Sequence, residues 1–152
     1  MQARKIGNFV AVFVVVLMAA APAMARDLDA ETAALETLDD FMAAFNARDA
    51  SAFEATFNFP HYRIAGGNVS VLERAGLRPD LFARFVAATP GWDHSAWDRR
   101  QVIHSGPGKV HIDTRFIRYR ADGSIFASFD SLYIVTKQDG RWGVKARSSF
   151  AP

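Results

Sequence analysis

The chain has 152 residues, 18 basic against 16 acidic, and no cysteine. Without cysteine there are no disulfides, thiol nucleophiles or thiolate metal sites, so stability must come from apolar burial, to which 13 Phe, 3 Trp and 3 Tyr contribute. The balanced charge and the absence of a Lys/Arg cluster argue against a nucleic-acid-binding protein.

The first 25 residues have the three parts of a secretory signal peptide. Arg4 and Lys5 carry the early charge, an apolar run fills 9–18, and the segment ends in Ala-Met-Ala. The run is shorter than the roughly 20 residues of a membrane span, so we predict cleavage between Ala25 and Arg26 and a periplasmic or secreted protein with no membrane attachment. Cleavage removes two basic residues and leaves sixteen charges of each sign.

The segment after the signal predicts three helices. Asp29 is the predicted N-cap of the first, and Asp49 of a short second one over 50–56. Pro79 fits the first turn of a third helix, which ends at 89–91. The apolar stripe of the first helix has spacings of three and four residues: Leu35, Leu38, Phe41, Met42 and Phe45.

The remaining segments predict β-strands. Asp-Gly pairs at 122–123 and 139–140 are strong hairpin signals, so the C-terminal half is predicted to be an antiparallel meander. Helices on one side of such a sheet give the α+β class. The predicted strands are 57–64, 69–72, 95–104, 109–120, 125–137 and 141–150.

Two segments resemble the nuclear transport factor 2-like superfamily, whose members include ketosteroid isomerase and polyketide cyclases. The residues 41–49 followed by Phe53 and Phe57 are similar to its opening signature, and 139–144 to its last hairpin. The resemblance covers 29–150 and implies a cone-shaped α+β barrel of N-terminal helices on a strongly curved antiparallel sheet. It implies a pocket at the mouth of the cone, but no particular reaction, because the superfamily also contains non-catalytic binding and dimerisation domains.

The two hairpins predict which side chains share a face of the sheet. Two-residue loops place Ala121 opposite Ser124, Arg115 opposite Asp130, and Asp130 opposite Ser149. The face predicted to pack on the helices holds Val110, Ile112, Thr114, Phe116, Phe129, Tyr133, Val135, Trp142, Val144, Ala146 and Phe150. The opposite face is predicted to hold His111, Asp113, Arg115, Tyr119, Asp130, Lys145, Arg147 and Ser149.

Asp130 has two possible placements. It either belongs to a charge ladder on the outer face of the sheet, or it lies in the pocket, because 130–133 matches the strand that carries the protonated aspartic acid of ketosteroid isomerase. The tyrosine and the base of that enzyme fall at Phe41 and near Ala65, which cannot replace them. Arg115 opposite Asp130 would also keep the carboxyl ionised.

The candidate catalytic residues are Asp130, Arg115 and His61. Asp113, Arg115 and Asp130 have the composition of the Asp-Arg-Asp set of an epoxide hydrolase of the superfamily, in reversed order. His61 or His94 is a candidate general base near neutral pH.

The candidate ligand-binding residues are Tyr62, Arg63, Trp92, His94 and Trp97, which combine aromatic surface with a few polar groups. Alternatively, the two Trp side chains close the open end of the core. The histidines show no metal-binding spacing, so neither a metal nor another cofactor is predicted.

These observations predict an exported domain that binds a small, partly apolar molecule, as a homodimer. One alternative is a lyase, isomerase or hydrolase that uses Asp130, Arg115 and a histidine. A second alternative is a dimerisation scaffold that pairs through the polar face of the sheet.

Overall fold

A computed structural model describes residues 26–152, and the predicted signal peptide lies outside them. The helices are α1 (Leu28–Ala47), α2 (Ala50–Ala55) and α3 (Leu81–Ala88). The strands are β1 (Phe57–Ala65), β2 (Asn68–Leu72), β3 (His94–Gly106), β4 (Lys109–Tyr119), β5 (Ile125–Gln138) and β6 (Arg141–Ser149). Within 26–152, none of the helices combines the length and the apolar character that a membrane span requires.

The helices begin at aspartates, with two changes from prediction. Asp27, not Asp29, caps α1, because its carboxylate accepts the amide N–H three residues further on at 3.0 Å. Asp49 caps α2 in the same way at 2.9 Å, as predicted. Helix α3 begins at Leu81, so Pro79 precedes the helix and does not lie in its first turn.

All six strands form one sheet in the order β2-β1-β6-β5-β4-β3. The predicted meander of β3 to β6 is confirmed, and so is the α+β class. The sheet differs from the predicted antiparallel barrel in two details, since one of its pairings is parallel and its edges do not close. Strand β6 pairs with β1 in the parallel direction, at the edge of β1 that its hairpin partner β2 leaves free. The sheet stays open, with β2 and β3 at its edges.

The core lies between the helices and the inner face of the sheet, by which we mean the face that meets the helices. Leu38 and Phe41 of α1 are buried there against Tyr133 of β5. The rings of Phe41 and Tyr133 meet edge to face at 5.4 Å. Full burial of such side chains contributes about 1.5–3 kcal/mol each, so this layer fixes the helices on the sheet.

The first hairpin reaches its predicted register through two irregularities that compensate. Arg120 pairs with Ser124 through a 2.9 Å backbone hydrogen bond, so the loop is longer than the two residues predicted. The extra residue Phe126 in β5 then restores the register. As a result Arg115 lies opposite Asp130, as predicted.

The second hairpin keeps its predicted register only as far as Val144, which pairs with Val135. Lys145 is then an extra residue, because the next pair joins Ile134 to Ala146. A one-residue shift moves every following side chain to the other face.

Because of the β-bulge at Lys145, the residues of β6 that follow it face the opposite way from the prediction. Arg147 pairs with Tyr133, and Ser149 pairs with Ser131, so both lie on the inner face. The 2.8 Å hydrogen bond between the hydroxyls of Ser131 and Ser149 is consistent with this placement. Phe150, predicted to be inside, is exposed.

Beside the bulge, β1 and β6 approach closely at Asn58 and Gly143. Asn58 is buried, and its amide group donates to the carbonyl and hydroxyl oxygens of Thr136 at 2.7 and 2.9 Å. A Cβ atom on Gly143 would lie 2.7 Å from Oδ1 of Asn58 and 3.0 Å from its backbone nitrogen. No side chain fits at Gly143 without displacing this buried hydrogen-bonded group.

We therefore predict that Gly143→Ala lowers the free energy of unfolding by about 1–3 kcal/mol, the usual cost of overpacking. Gly108→Ala is the matched control, since a Cβ there would have no atom within 4 Å. Urea denaturation of both variants measures the difference. Equal stability of the two variants would show that the contact is not restrictive.

Candidate functional site

A cavity of about 160 Å³ lies between the helices and the inner face of the sheet. Its two sides differ in chemistry. The helix side is apolar and is formed by Phe41, Phe45, Phe53, Leu81, Phe82 and Phe85. The sheet side carries polar groups from at least four strands, among them Arg63, Arg118, Tyr133, Arg147 and Ser149.

The phenylalanines of the helix side form a continuous aromatic wall. Phe45 contacts Phe82 and Phe85 at ring-centroid distances of 5.5 and 5.0 Å. Phe53 contacts Phe41 and Phe82 at 4.6 and 5.5 Å. Since these rings are packed against one another from three helices, the wall is rigid and offers apolar surface to an occupant.

Four arginines line the cavity: Arg63 of β1, Arg78 of the loop before α3, Arg118 of β4 and Arg147 of β6. No Asp or Glu lies among the lining residues. Within the described residues none of the four arginines forms an ion pair. The side chains that line the cavity thus carry positive charge and no negative charge.

Arg118 is the most deeply buried of the four arginines, with 5% of its surface exposed. Its guanidinium lies 5.0 Å from the ring centre of Phe85, 5.8 Å from that of Phe116 and 4.9 Å from that of Phe129. These cation–π contacts partly replace water. The buried Nε of Arg118 nevertheless has no hydrogen-bond partner among residues 26–152.

The arginines also act on one another. Burial, together with the charges of Arg147 and Arg63, lowers the pKa of Arg118 to about 10. Burial likewise lowers the pKa of Arg63, with repulsion from Arg147 and Arg78 added. Even the lowered pKa of Arg118 leaves it charged at neutral pH, so the repulsion persists under ordinary conditions.

Arg63 and Arg147 lie side by side in the parallel pair of β1 and β6. Arg63 donates hydrogen bonds to the carbonyl oxygens of Ala151 and Pro152 at 3.3 and 3.0 Å. Arg147 lies 5.5 Å from the ring centre of Phe41, and its buried Nε has no partner among the described residues. Arg147 and Arg118 are therefore the two guanidiniums with a buried donor left unused.

Of the predicted ligand-binding residues, Arg63 lines the cavity and four do not. Tyr62 is the neighbour of Arg63 in β1 and faces outward, because adjacent strand residues point to opposite faces. His94 is exposed, where its Nδ1 lies 2.8 Å from Oδ2 of Asp93 and its ring stacks on Tyr119.

Both predicted tryptophans are built into the walls of the core. Trp92 is buried, and its Nε1 donates to the hydroxyl of Ser95 at 3.0 Å. Trp97 donates to the carbonyl of Leu38 at 3.2 Å. Neither ring lines the cavity. They support the structure around the cavity and do not fill it.

The candidate catalytic residues Asp130 and Arg115 lie on the outer face, so a pocket placement for Asp130 is wrong. The side chain of Asp130 is 54% exposed, and it accepts a 3.3 Å hydrogen bond from Arg99. Arg99 also binds Asp113 at 2.8 Å, and Arg115 lies 3.7 Å from Asp98. The outer ladder is the placement that the structure supports, and exposed pairs of this kind contribute little stability.

His61, the third candidate, is buried and held in place. Its Nδ1 donates to the carbonyl of Val144 at 2.9 Å, and its ring stacks on Phe57 at 4.0 Å. Burial lowers the pKa of His61 to about 4. It does not line the cavity, and with this pKa it is a poor general base at neutral pH.

We predict that His61 makes the protein sensitive to acid. Its pKa is about 4 in the folded state against an ordinary value of 6.5, so the unfolded state binds the proton more readily between these values. Stability should fall as the pH drops from about 6.5 to about 4, by up to about 3 kcal/mol. Denaturation of wild type and His61→Gln across this range should show a smaller decrease for the variant. A His61 ring that titrates near 6.5 by NMR would contradict this.

Sequence reasoning missed Arg78, Arg118, Arg147 and Ser149. Arg118 continues the alternation of Ile112, Thr114 and Phe116 by two residues, so the pattern contained a signal for it. Arg147 and Ser149 had no such signal, since their faces depend on the bulge before them. Arg78 lies in a loop, where alternation does not apply.

No cluster of three or more metal-ligating side chains occurs within residues 26–152. The polar side chains that meet at the cavity are cationic or hydroxyl groups. Guanidinium groups donate hydrogen bonds and accept none, so the chemistry of this set suits an anionic partner and not a cation.

The family comparison matches residues 30–149 to a family described as NTF2-like protein (DUF6841). The chain belongs to this family. No curated protein sequence matches it. The match spans all three helices and six strands apart from the first two residues of α1.

Solved structures share the fold at low sequence identity. A protein of unknown function with a cystatin-like fold from Nostoc punctiforme has a TM-score of 0.65 at 12% identity, covering 84% of this chain and 94% of its own. An NTF2-like protein of unknown function from Pseudomonas putida has a TM-score of 0.65 at 13% identity, covering 84% and 90%. A ketosteroid isomerase-like protein from Erwinia carotovora has a TM-score of 0.55 at 17% identity, covering 80% and 96%. At these identities the likeness concerns the fold.

Proposed function

We propose that this NTF2-like protein is an exported binding domain that holds a small, partly apolar molecule in the cavity between helices and sheet. The observation that carries the proposal is the cavity itself, which keeps about 160 Å³ open beside six phenylalanines. An apolar cavity of about 150 Å³ is large enough to bind benzene. An apolar lining with a few convergent polar groups is also typical of small-molecule sites.

The lining favours binding over catalysis. No Asp, Glu or His lies among the residues around the cavity. The hydroxyl groups of Ser95, Tyr133 and Ser149 therefore have no general base beside them in the cavity. The enzyme alternative depended on Asp130 and Arg115, which lie on the outer face. The homodimer expected from the resemblance stays a prediction.

Export is a separate part of the proposal and rests on the sequence of the first 25 residues. We predict that a bacterial cell expressing the full chain releases a mature form that begins at Arg26. Amino-terminal sequencing of the periplasmic fraction measures this directly. A mature protein that keeps Met1 and stays with the membrane would contradict export by cleavage.

A variant whose larger side chain fills the cavity tests whether a ligand binds there. Leu81 lines the cavity from α3, so Leu81→Trp should place the larger side chain in the space of the ligand. Val69→Trp is the control, because Val69 is 65% exposed on β2 and does not line the cavity. We expect native mass spectrometry to find a bound small molecule on the wild type and on Val69→Trp, purified from the native source, but not on Leu81→Trp.

Two results would contradict the proposal. The same bound mass on Leu81→Trp would place the ligand outside the cavity. Unoccupied protein in all three preparations would remove the support for a resident ligand.

A further inference from the structure

We propose that the ligand is a small organic acid whose carboxylate binds Arg118 and Arg147 and whose apolar body packs against the phenylalanine wall. This inference rests on the proposed function and names the chemical class of the ligand. It follows from three features of the cavity. These are arginine charges that no acidic side chain balances, hydrogen-bond donors without a partner, and the contrast between the polar sheet side and the apolar helix side.

The unbalanced charge is the first feature. Moving a charged group out of water is costly unless a counter-charge accompanies it. Arg118 is 5% exposed and has Arg63 and Arg147 near enough to repel it. The chain has acidic partners for other arginines, since Arg99 on the outer face contacts two aspartates. No acidic side chain lines the cavity, so a bound anion would supply the counter-charge that Arg118 and Arg147 lack.

The unused donors are the second feature. The Nε atoms of Arg118 and Arg147 are buried, and neither has a hydrogen-bond partner among residues 26–152. Buried polar groups in proteins are nearly always paired. A guanidinium presents its N–H groups as a planar fork that matches the two oxygens of a carboxylate. An acid bound here would satisfy donors that the protein leaves free.

The third feature is the contrast between the polar sheet side and the apolar helix side of the cavity. This contrast favours an organic acid over other anions as the ligand. Phosphate would meet the arginines but leave the wall of Phe45, Phe53 and Phe82 without a partner. A neutral hydrocarbon would cover the wall and leave the arginines unpaired. A carboxylate on an aromatic or branched apolar body contacts both sides. The volume of about 160 Å³ limits that body to about one six-membered ring.

The test compares acids with neutral molecules of the same shape. Benzoate and phenylacetate are the acidic probes, benzyl alcohol and 2-phenylethanol are their neutral counterparts, and inorganic phosphate carries charge alone. Isothermal titration calorimetry measures each against the purified mature protein at pH 7. We expect an acid to bind about tenfold or more tightly than its alcohol, the range for hydrogen bonds to charged groups, and phosphate to bind more weakly than either acid.

Arginine variants locate the charge that is responsible. In Arg118→Met and in Arg147→Met the preference for the acid should fall about tenfold, while the affinity for the alcohol changes little and shows that the cavity is intact. Arg99→Met is the matched control, because Arg99 lies on the outer face among Asp113 and Asp130. It should keep the preference of the wild type.

Each contrary outcome is distinct. Equal binding of acid and alcohol to the wild type would overturn the inference and leave the proposed binding function in place. Acid binding that survives in both cavity variants would overturn it in the same way. Phosphate binding as tight as that of the acids would exclude a role for the apolar wall. Absence of binding by all five probes would count against both the inference and the proposed function.

Discussion

The one-residue bulge at Lys145 determines which chemistry the cavity contains. Strand β6 is hydrogen-bonded to β5 on one side and to β1 on the other. Both pairings change register between Val144 and Ala146. The ammonium group of Lys145 donates to the carbonyl of Phe59 at 3.0 Å, which ties the bulge to the irregular part of β1. Pro60 follows Phe59 and has no N–H to give to a regular ladder. Because strand residues alternate faces, the bulge turns Arg147 inward.

The two faces of the sheet consequently carry two different sets of charged side chains. On the outer face, arginines and aspartates of neighbouring strands neutralise each other, as with Arg99 and Asp113. On the inner face, Arg63, Arg118 and Arg147 come together from three strands without an acid beside them. The outer set is an ordinary solvated surface. The inner set costs free energy in the absence of a bound anion, because buried charges are normally paired.

Local signals in the sequence predicted the local structure well. Asp49 marked a helix start, and the Asp-Gly pair at 139–140 marked a tight turn in which both residues have positive φ. The Asp-Gly pair at 122–123 marked the first hairpin, in which Arg115 lies opposite Asp130 as predicted. Pairings between distant segments were not predictable in this way. The parallel contact of β1 with β6 and the bulge at Lys145 depend on how the whole sheet assembles. For that reason the fold was predicted, while most of the arginine cluster was not.

A crystal structure of the mature protein soaked in benzoate tests most directly whether an anion binds between the arginines and the phenylalanine wall. We expect density for one benzoate in the cavity, with its ring against Phe45 and Phe82. Its carboxylate oxygens should lie about 2.7–2.9 Å from guanidinium nitrogens of Arg118 and Arg147. A cavity that stays empty at saturating benzoate, or a carboxylate directed away from both arginines, would contradict it.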